Sequence, residues 1–401
     1  MNNFTPEQKT LVSLLGHNLF GAPLEIAPDT DWEKVAKESA AQTVFSVAFN
    51  NYRELPISDE LSKKIKKYLM KLALSNADCF QNHTYLHELM EVNGIPYCSF
   101  KGASSALGYP DPLLRAMGDV DFYVHPDDID RAMKVFQAEG FNRYPGNHES
   151  HIGLDKDRKH FEMHFKPVAY HKGWIGDIFE EYWQDIISTA VLHKNELAVF
   201  NGPSIFHHGF ILLTHLQHHL YSEGVGLRHL CDWVLFANSL SNDEFVSMFE
   251  TKLKRIGLWR LAQLLCLGAV KFMGMEHKAW MGDDYSTAEE LLSDILYGGN
   301  FGRKDKQRSY EGLFIFDKNE GDIKKGRISI MFKSLNRMVD GNWKSAKKFV
   351  LLYPVGWVYF SLRYILRVIM GKRKMNLVGT YQKSGQRRNL YSKIRCFEPE
   401  K

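Results

Sequence analysis

Cysteine is scarce in this sequence, and its occurrences are odd in number and widely separated. They are Cys79, Cys98, Cys231, Cys266 and Cys396. No CxxC pair occurs, so neither a disulfide framework nor a cysteine-ligated zinc site is indicated. The N-terminal residues also lack a basic stretch followed by an apolar run and a small-residue cleavage site, which predicts no secretory signal. These absences favour a cytoplasmic protein with reduced thiols.

The sequence also has no internal repeat and no low-complexity tract. At 44% hydrophobic and 13% aromatic residues it can build a full core, which excludes a disordered chain. Its 401 residues exceed what one compact core usually holds, and two domains with extensions are therefore expected.

The net charge of +4 conceals an uneven distribution. Residues 301–401 carry 24 Lys+Arg against 8 Asp+Glu, whereas residues 1–300 carry 27 against 39. A basic C-terminal part on an acidic body either meets an anionic partner, such as a membrane surface, or is a solvated basic face. No recognised nucleic-acid module accompanies the basic residues, so specific nucleic-acid binding is not expected.

The hydrophobic pattern divides the chain into four parts. Helical spacing predicts an N-terminal helical region over residues 1–94, which includes a long helix between a Ser58 cap and a Gly94 stop. Residues 95–204 alternate between strands and helices and predict a small α/β unit. A helical domain is expected over 205–345, and a basic amphipathic segment with a tail over 346–401. The fold class is therefore α+β, a small mixed sheet flanked by helices.

Two acidic residues in the predicted strand GDVDFYV are separated by a single residue. Side chains alternate along a strand, so Asp119 and Asp121 share one face and lie roughly 6–7 Å apart. Carboxylates this close repel each other unless a cation lies between them, and oxygen ligands suit Mg²⁺. Such a pair on its own is also common on exposed strands, which leaves a surface strand as the alternative.

A third carboxylate strengthens the metal-site interpretation. Glu162 lies on the predicted strand HFEMHFKPV, and His164 shares its face. Phosphoryl and nucleotidyl transfer often uses a third carboxylate that binds metal or draws a proton from the attacking hydroxyl.

A phosphate-binding turn is predicted just before these strands. Gly102 follows a strand and opens a short helix that contains Ser104 and Ser105. Glycine lets the backbone approach a phosphate, and hydroxyls and helix-start amides can donate to it. Lys101 and Arg115 could add positive charge.

Histidines are concentrated further along the chain. His215 and His219 are four residues apart and share one helical face. A zinc site would need more ligands, and no HExxH motif occurs, so a polar helix face is preferred. Alternatively, these histidines could join Arg228 and Asp232 in a polar cluster that positions substrate or triphosphate.

The stretch at residues 347–374 is apolar and aromatic with basic ends. Its length approaches that of a membrane span, but Pro354, Gly356, Arg363 and Arg367 argue against one. We expect an amphipathic helix that either lies on an anionic membrane surface or packs on the helical domain. The residues after Lys374 are expected to form a polar, mobile tail.

The run KGASSALGYPDPLLRAMGDVDFYV, followed by DDIDRAMKVFQAEGF and FEMHF, resembles the uncharacterised bacterial nucleotidyltransferase family of the DNA polymerase β-type superfold. The resemblance is clear over roughly residues 95–170 and weaker through His215, His219, Arg228, His229 and Asp232.

This resemblance implies a specific chemistry. A nucleoside monophosphate would pass from a nucleoside triphosphate to an unidentified small molecule, sugar or protein, with Mg²⁺ or Mn²⁺ as cofactor. It implies that Asp119 and Asp121 are metal ligands, that Glu162 takes the third carboxylate place, and that Gly102 with Ser104 forms the phosphate turn. The alternative is a non-catalytic nucleotide-binding or scaffold protein at a membrane surface.

Overall fold

The computed structural model describes residues 4–144, 150–166, 173–305, 308, 311, 315, 326–343, 346, 349–369 and 377–400. Within them the protein is an α+β structure in which a small mixed sheet lies between N-terminal and C-terminal helices.

The N-terminal region is helical, as its hydrophobic spacing predicts. Its helices are α1 (Pro6–Phe20), α2 (Trp32–Ala41), α3 (Phe45–Ala48) and α4 (Asp59–Val92). The Ser58 side chain accepts a hydrogen bond from the Leu61 amide and caps α4. The chain leaves α4 at Gly94, whose φ of 60° suits glycine.

The central sheet has five strands in the order β1-β2-β5-β4-β3. They are β1 (Tyr97–Phe100), β2 (Val120–Val124), β3 (Asn142–Arg143), β4 (His151–Lys156) and β5 (Lys159–His164). The β2 and β5 strands are parallel, and the other neighbouring pairs are antiparallel. Helices α5 (Gly102–Ala106) and α6 (Ile129–Ala138) lie between strands in the chain.

One face of the sheet packs into an aromatic core. Phe122 of β2 and Phe161 of β5 contact Phe136 of α6, with ring centroids 5.8 Å apart in each case. Val120 and Val124 are fully buried on the same side. Because side chains alternate, this packing directs Asp121 and Glu162 to the opposite face.

The rest of the described residues are mainly helical. After α7 (Gly173–Trp183) comes the hairpin of β6 (Val191–Lys194) and β7 (Val199–Gly202). The later helices are α8 (Ile205–Tyr221), α9 (Leu227–Ser239), α10 (Asn242–Ile256), α11 (Trp259–Met273), α12 (Tyr285–Gly298), α13 (Arg327–Asn342), α14 (Leu352–Ile369) and α15 (Leu377–Ile394). Buried residues of α1, α9 and α11 belong to one hydrophobic core, exemplified by Leu15, Trp233 and Leu265.

The C-terminal end differs from the predicted mobile tail. Residues 377–394 form α15, and Tyr391 and Ile394 are fully buried in the main core. Arg387 is also buried, and its guanidinium donates to Glu311 and to the Leu220 carbonyl. The segment is mostly basic and polar, so its composition predicts a mobile tail. Its few apolar side chains nevertheless pack into the main core.

Helix α14 occupies most of the described part of the predicted amphipathic segment, with residues 349–351 before it, while residues 347–348 and 370–374 lie outside the described residues. Gly356 of α14 packs against Val339 of α13, and a Cβ on the glycine would lie 2.5 Å from Val339 Cγ2. No helix in the described part of the chain is both long enough and apolar enough to cross a membrane.

Candidate functional site

A cavity of about 810 Å³ lies between the carboxylate-bearing face of the sheet and helices α8 and α9. All the site residues predicted from the sequence line it, except Ser104 and Ser105. Those that line it are Lys101, Gly102, Arg115, Asp119, Asp121, Glu162, His164, His215, His219, Arg228 and Asp232. The fold therefore gathers side chains that are more than 100 positions apart in the sequence.

The three predicted carboxylates meet at neighbouring strands. Asp121 of β2 lies opposite Glu162 of β5 in their parallel pairing, and Asp119 immediately precedes β2. Burial, followed by the nearby charges of Asp121 and Glu162, raises the pKa of Asp119 to about 6. Mutual repulsion of this kind is relieved by a cation between the carboxylates, and their oxygens are ligands that Mg²⁺ accepts.

Asp121 is held by two cationic or protonatable partners. Lys101 Nζ lies 3.0 Å and His164 Nε2 lies 2.9 Å from Asp121 Oδ1. Burial alone would raise the pKa of Asp121, but the charge of Lys101 and the hydrogen bond from His164 hold it well below its usual value. Asp121 is therefore ionised and fixed in orientation.

The turn after β1 has an unusual backbone conformation. Lys101 has a φ of 57°, and Gly102 has a φ of 25°. A Cβ on Gly102 would lie 2.8 Å from His83 Nε2, so the position requires glycine.

His83 connects this turn to the carboxylate strand. Burial lowers its pKa to about 3, so the ring is neutral. The Ala103 amide donates to His83 Nε2 (3.3 Å), so Nδ1 carries the proton and donates to Ser99 Oγ (2.9 Å). Ser99 in turn donates to the Asp121 carbonyl (3.2 Å). The chain of hydrogen bonds fixes the turn relative to Asp121.

Arg115 lies beside the turn, but its guanidinium is occupied by protein groups. Its Nε and one terminal nitrogen each donate to a different Asp232 oxygen at 2.8 Å. The other terminal nitrogen donates to the Gly102 carbonyl at 3.2 Å, and the Tyr109 hydroxyl donates to Asp232 at 2.8 Å. This geometry supports the backbone of the turn, while the contact of Arg115 with a phosphate stays a prediction.

Ser104 and Ser105 lie on the short helix α5, away from the cavity. Both hydroxyl oxygens are buried and have no hydrogen-bond partner in the structure. Among the described residues, the predicted phosphate turn therefore presents Lys101 and Gly102 to the cavity rather than the serines.

Helices α8 and α9 form the opposite wall with polar groups. His215 Nε2 lies 3.1 Å from His219 Nε2, whose ring also contacts Glu223 through Nδ1 at 3.0 Å. Arg228 donates to the Ala116 carbonyl at 3.2 Å, but its Nε is buried without a partner. Both ring nitrogens of His229 are likewise unpaired. Unpaired buried polar atoms cost about 1–3 kcal/mol each, so this wall is suited to a polar ligand.

Several cavity residues were not predicted. His151 was missed because β4 was not recognised, although Ile152 and Leu154 alternate with more polar neighbours. Asn300 and Phe301 reach the cavity from the turn after α12, where the sequence gives no local signal.

Buried neutral histidines predict acid sensitivity. Burial lowers the pKa of His83 to about 3 and of His208 to about 4, and it lowers those of His215 and His229 well below their usual value. Unfolded histidines take up protons near pH 6.5, whereas these folded ones do not. The unfolded state then binds more protons, so the free energy of unfolding should decrease as the pH falls from about 7.5 to about 5.5.

Urea denaturation at these two pH values measures this change. A His208→Gln variant should show a shallower pH dependence, because one fewer proton is taken up on unfolding. Equal or greater stability of the wild-type protein at the lower pH would contradict the prediction.

Comparison with known proteins identifies the family of the chain. A family model described as uncharacterised nucleotidyltransferase matches residues 28–274, a span that runs from before α2 to the end of α11. No curated protein matches the chain significantly. The match includes the turn, the three carboxylates and the histidine-bearing wall, and it extends well beyond the resemblance seen over residues 95–170.

Proposed function

Because the chain belongs to the uncharacterised nucleotidyltransferase family, we propose that it transfers a nucleoside monophosphate from a nucleoside triphosphate to an acceptor bound in this cavity. The observation that carries the proposal is the pairing of Asp121 with Glu162 on adjacent parallel strands, with Asp119 beside them. Attack by an acceptor oxygen on the α-phosphorus would release pyrophosphate.

The carboxylates form a donor set that fits Mg²⁺ or Mn²⁺. Asp119, Asp121 and Glu162 offer oxygen ligands at the edge of a water-accessible cavity, and burial followed by the charges of Asp121 and Glu162 raises the pKa of Asp119. When bound, the cation would neutralise triphosphate charge in the transition state.

The protein's own groups would position the two substrates. Lys101 and the backbone of the Gly102 turn line the cavity beside Asp121 and would contact the phosphate chain. Burial would raise the pKa of Glu162, but the hydrogen bond from His164 lowers it, so Glu162 is ionised and can orient the acceptor hydroxyl or take its proton. Arg228 and His229 have unpaired nitrogens for a polar group of either substrate.

The test is a screen of the four nucleoside triphosphates with Mg²⁺ or Mn²⁺ and a panel of acceptors bearing hydroxyl or phosphate groups. Metal-dependent pyrophosphate release, together with a labelled product, is expected for at least one combination. Nucleotide binding without pyrophosphate release under any of these conditions would favour the alternative, a nucleotide-binding scaffold.

We also propose that α14 attaches the protein to an anionic membrane surface. Among the side chains of α14 that the structure describes, the exposed apolar ones form one stripe along the helix. They are Val355 (56% exposed), Val358 (60%), Tyr359 (46%), Leu362 (54%) and Leu366 (56%), and Leu351 (86%) lies in the turn just before the helix. Arg363 is exposed beside the stripe, and Gly356 on another face packs against α13. This exposure favours surface attachment over packing of the whole helix on the helical domain.

Liposome flotation tests the attachment. The protein should float with vesicles containing anionic lipid, and a triple variant with Leu351→Ser, Leu362→Ser and Leu366→Ser should partition at least about tenfold less, since each inserted leucine contributes roughly 1.5–3 kcal/mol. A matched control replaces Val92, Val191 and Leu192, which are exposed elsewhere, by serine. Equal flotation of the α14 variant and the control would refute the proposal.

A further inference from the structure

Two histidines flank the third carboxylate of the site. In the antiparallel pairing of β4 with β5, His151 lies opposite His164, and Gly153 lies opposite Glu162. The ring centroids of the two histidines are 4.9 Å apart. The strand register therefore brings two imidazoles and a carboxylate to one place.

The potential ligand atoms are close enough to share one ion. His164 Nε2 lies 3.4 Å from Glu162 Oε2, and His151 Nε2 lies 3.8 Å from Glu162 Oε1. One ligand atom from each of the three residues can be chosen so that all lie within 4.8 Å of one another. Two ligands of a tetrahedral ion with bonds of about 2.1 Å lie roughly 3.4 Å apart, so ligand atoms within 4.8 Å of one another would have to approach by at most about 1.4 Å.

The chemistry of this set differs from that of the Asp119–Asp121 pair. Mg²⁺ prefers oxygen ligands, whereas imidazole nitrogen favours first-row transition metals such as zinc. His164 is almost fully buried, while Glu162 is about one-third exposed toward the cavity. The three residues could therefore hold an ion firmly and leave a coordination position accessible from the cavity.

We propose that His151, Glu162 and His164 form a binding site for a first-row transition metal ion, with Zn²⁺ as the probe. Glu162 belongs to both donor sets, so the histidine-bound ion and the Mg²⁺ at the aspartates would share it as a ligand. Metal binding through His164 Nε2 would replace the hydrogen bond of this atom to Asp121 Oδ1. The proposal concerns binding of the metal alone and does not depend on nucleotidyl transfer.

Calorimetric titration of the nucleotide-free protein with Zn²⁺, in the presence of excess Mg²⁺, tests the site. We expect one equivalent of Zn²⁺ to bind despite the Mg²⁺. His151→Gln or His164→Gln should weaken Zn²⁺ binding by at least about 100-fold. Losing a residue that only hydrogen-bonds a metal ligand already weakens binding by up to about 100-fold, and each of these variants loses a ligand itself. Co²⁺ should give a visible absorption band that both variants lose.

Two controls separate this site from other histidines. His160→Gln removes an exposed histidine of the same strand and should leave Zn²⁺ affinity unchanged. A His215→Gln/His219→Gln double variant removes the helical pair across the cavity and should also retain the site. Loss of Zn²⁺ binding in the double variant, with retention in His151→Gln, would overturn the proposal.

Folding of each variant is checked by far-UV circular dichroism. If the buried substitution at His164 prevents folding, His151→Gln decides the question, because that side chain lies nearer the cavity surface. Wild-type Zn²⁺ affinity in a folded His151→Gln protein would refute the site. Pyrophosphate release with Mg²⁺ is measured separately, so failure of the metal proposal is distinguishable from failure of the transferase proposal.

Discussion

Replacement of Asp121 by asparagine is expected to reduce metal-dependent pyrophosphate release by about a thousandfold or more. Loss of the carboxylate removes a metal ligand, and metal stabilisation of transition-state charge is worth several kcal/mol. The substitution preserves side-chain size but removes the charge that faces Lys101 and His164. Initial rates at saturating nucleotide and metal measure the effect.

The matched control is Asp127→Asn, which alters an exposed aspartate shortly after β2 and outside the cavity. It should keep wild-type activity. Thermal unfolding of both variants shows whether the Asp121 substitution spares the fold. Undiminished pyrophosphate release by a folded Asp121→Asn protein would exclude the proposed role of this carboxylate.

The carboxylate site could be predicted from the sequence because its determinants are local. Alternation in GDVDFYV and HFEMHF places Asp119, Asp121 and Glu162 on the faces opposite the aromatic core. The distance between the strands could not be derived from alternation, since it depends on the parallel pairing of β2 with β5. It is the resemblance to the nucleotidyltransferase family that implies that Glu162 takes the third carboxylate place beside the two aspartates. The family match confirms the family.

Other features depend on contacts that leave no local signal. Strand β4 was missed because Gly153 interrupts a short run of alternating residues, and with it His151 was missed. Proximity to Gly102 predicts that Ser104 and Ser105 belong to the phosphate turn, but neither lines the cavity and both hydroxyls are buried without a hydrogen-bond partner. The packing of α15 likewise depends on a core formed by distant helices.

Arg115 is the clearest case of a long-range determinant, because its partner Asp232 lies 117 positions away. Both side chains are about 4% exposed, and burial would lower the pKa of Arg115 if the charge of Asp232 did not raise it. Asp232 is in turn kept ionised by Arg115, since burial alone would raise its pKa. The charge of each side chain is therefore compensated mainly by the other, with further support for Asp232 from the Tyr109 hydroxyl and the charge of Arg228.

Substitution of Arg115 by methionine should consequently lower the free energy of unfolding by about 3–5 kcal/mol, the usual effect of leaving a buried charge without its partner. Methionine retains most of the side-chain volume. The decrease in the free energy of unfolding therefore measures the contribution of the charge and of the hydrogen bonds to Asp232 and Gly102. Urea denaturation at neutral pH, analysed for midpoint and slope, provides the measurement.

The chain offers a matched control in Arg255, which forms a two-point ion pair with Glu181 at 2.6 and 2.7 Å. Both of these side chains are about half exposed, so Arg255→Met should cost only about 0–1 kcal/mol. If Arg115 instead binds phosphate, as the sequence predicts, the Arg115→Met protein should have nearly unchanged stability and weaker nucleotide binding. A folded Arg115→Met protein of wild-type stability that binds nucleoside triphosphate poorly would therefore assign Arg115 to the substrate and not to the support of the turn.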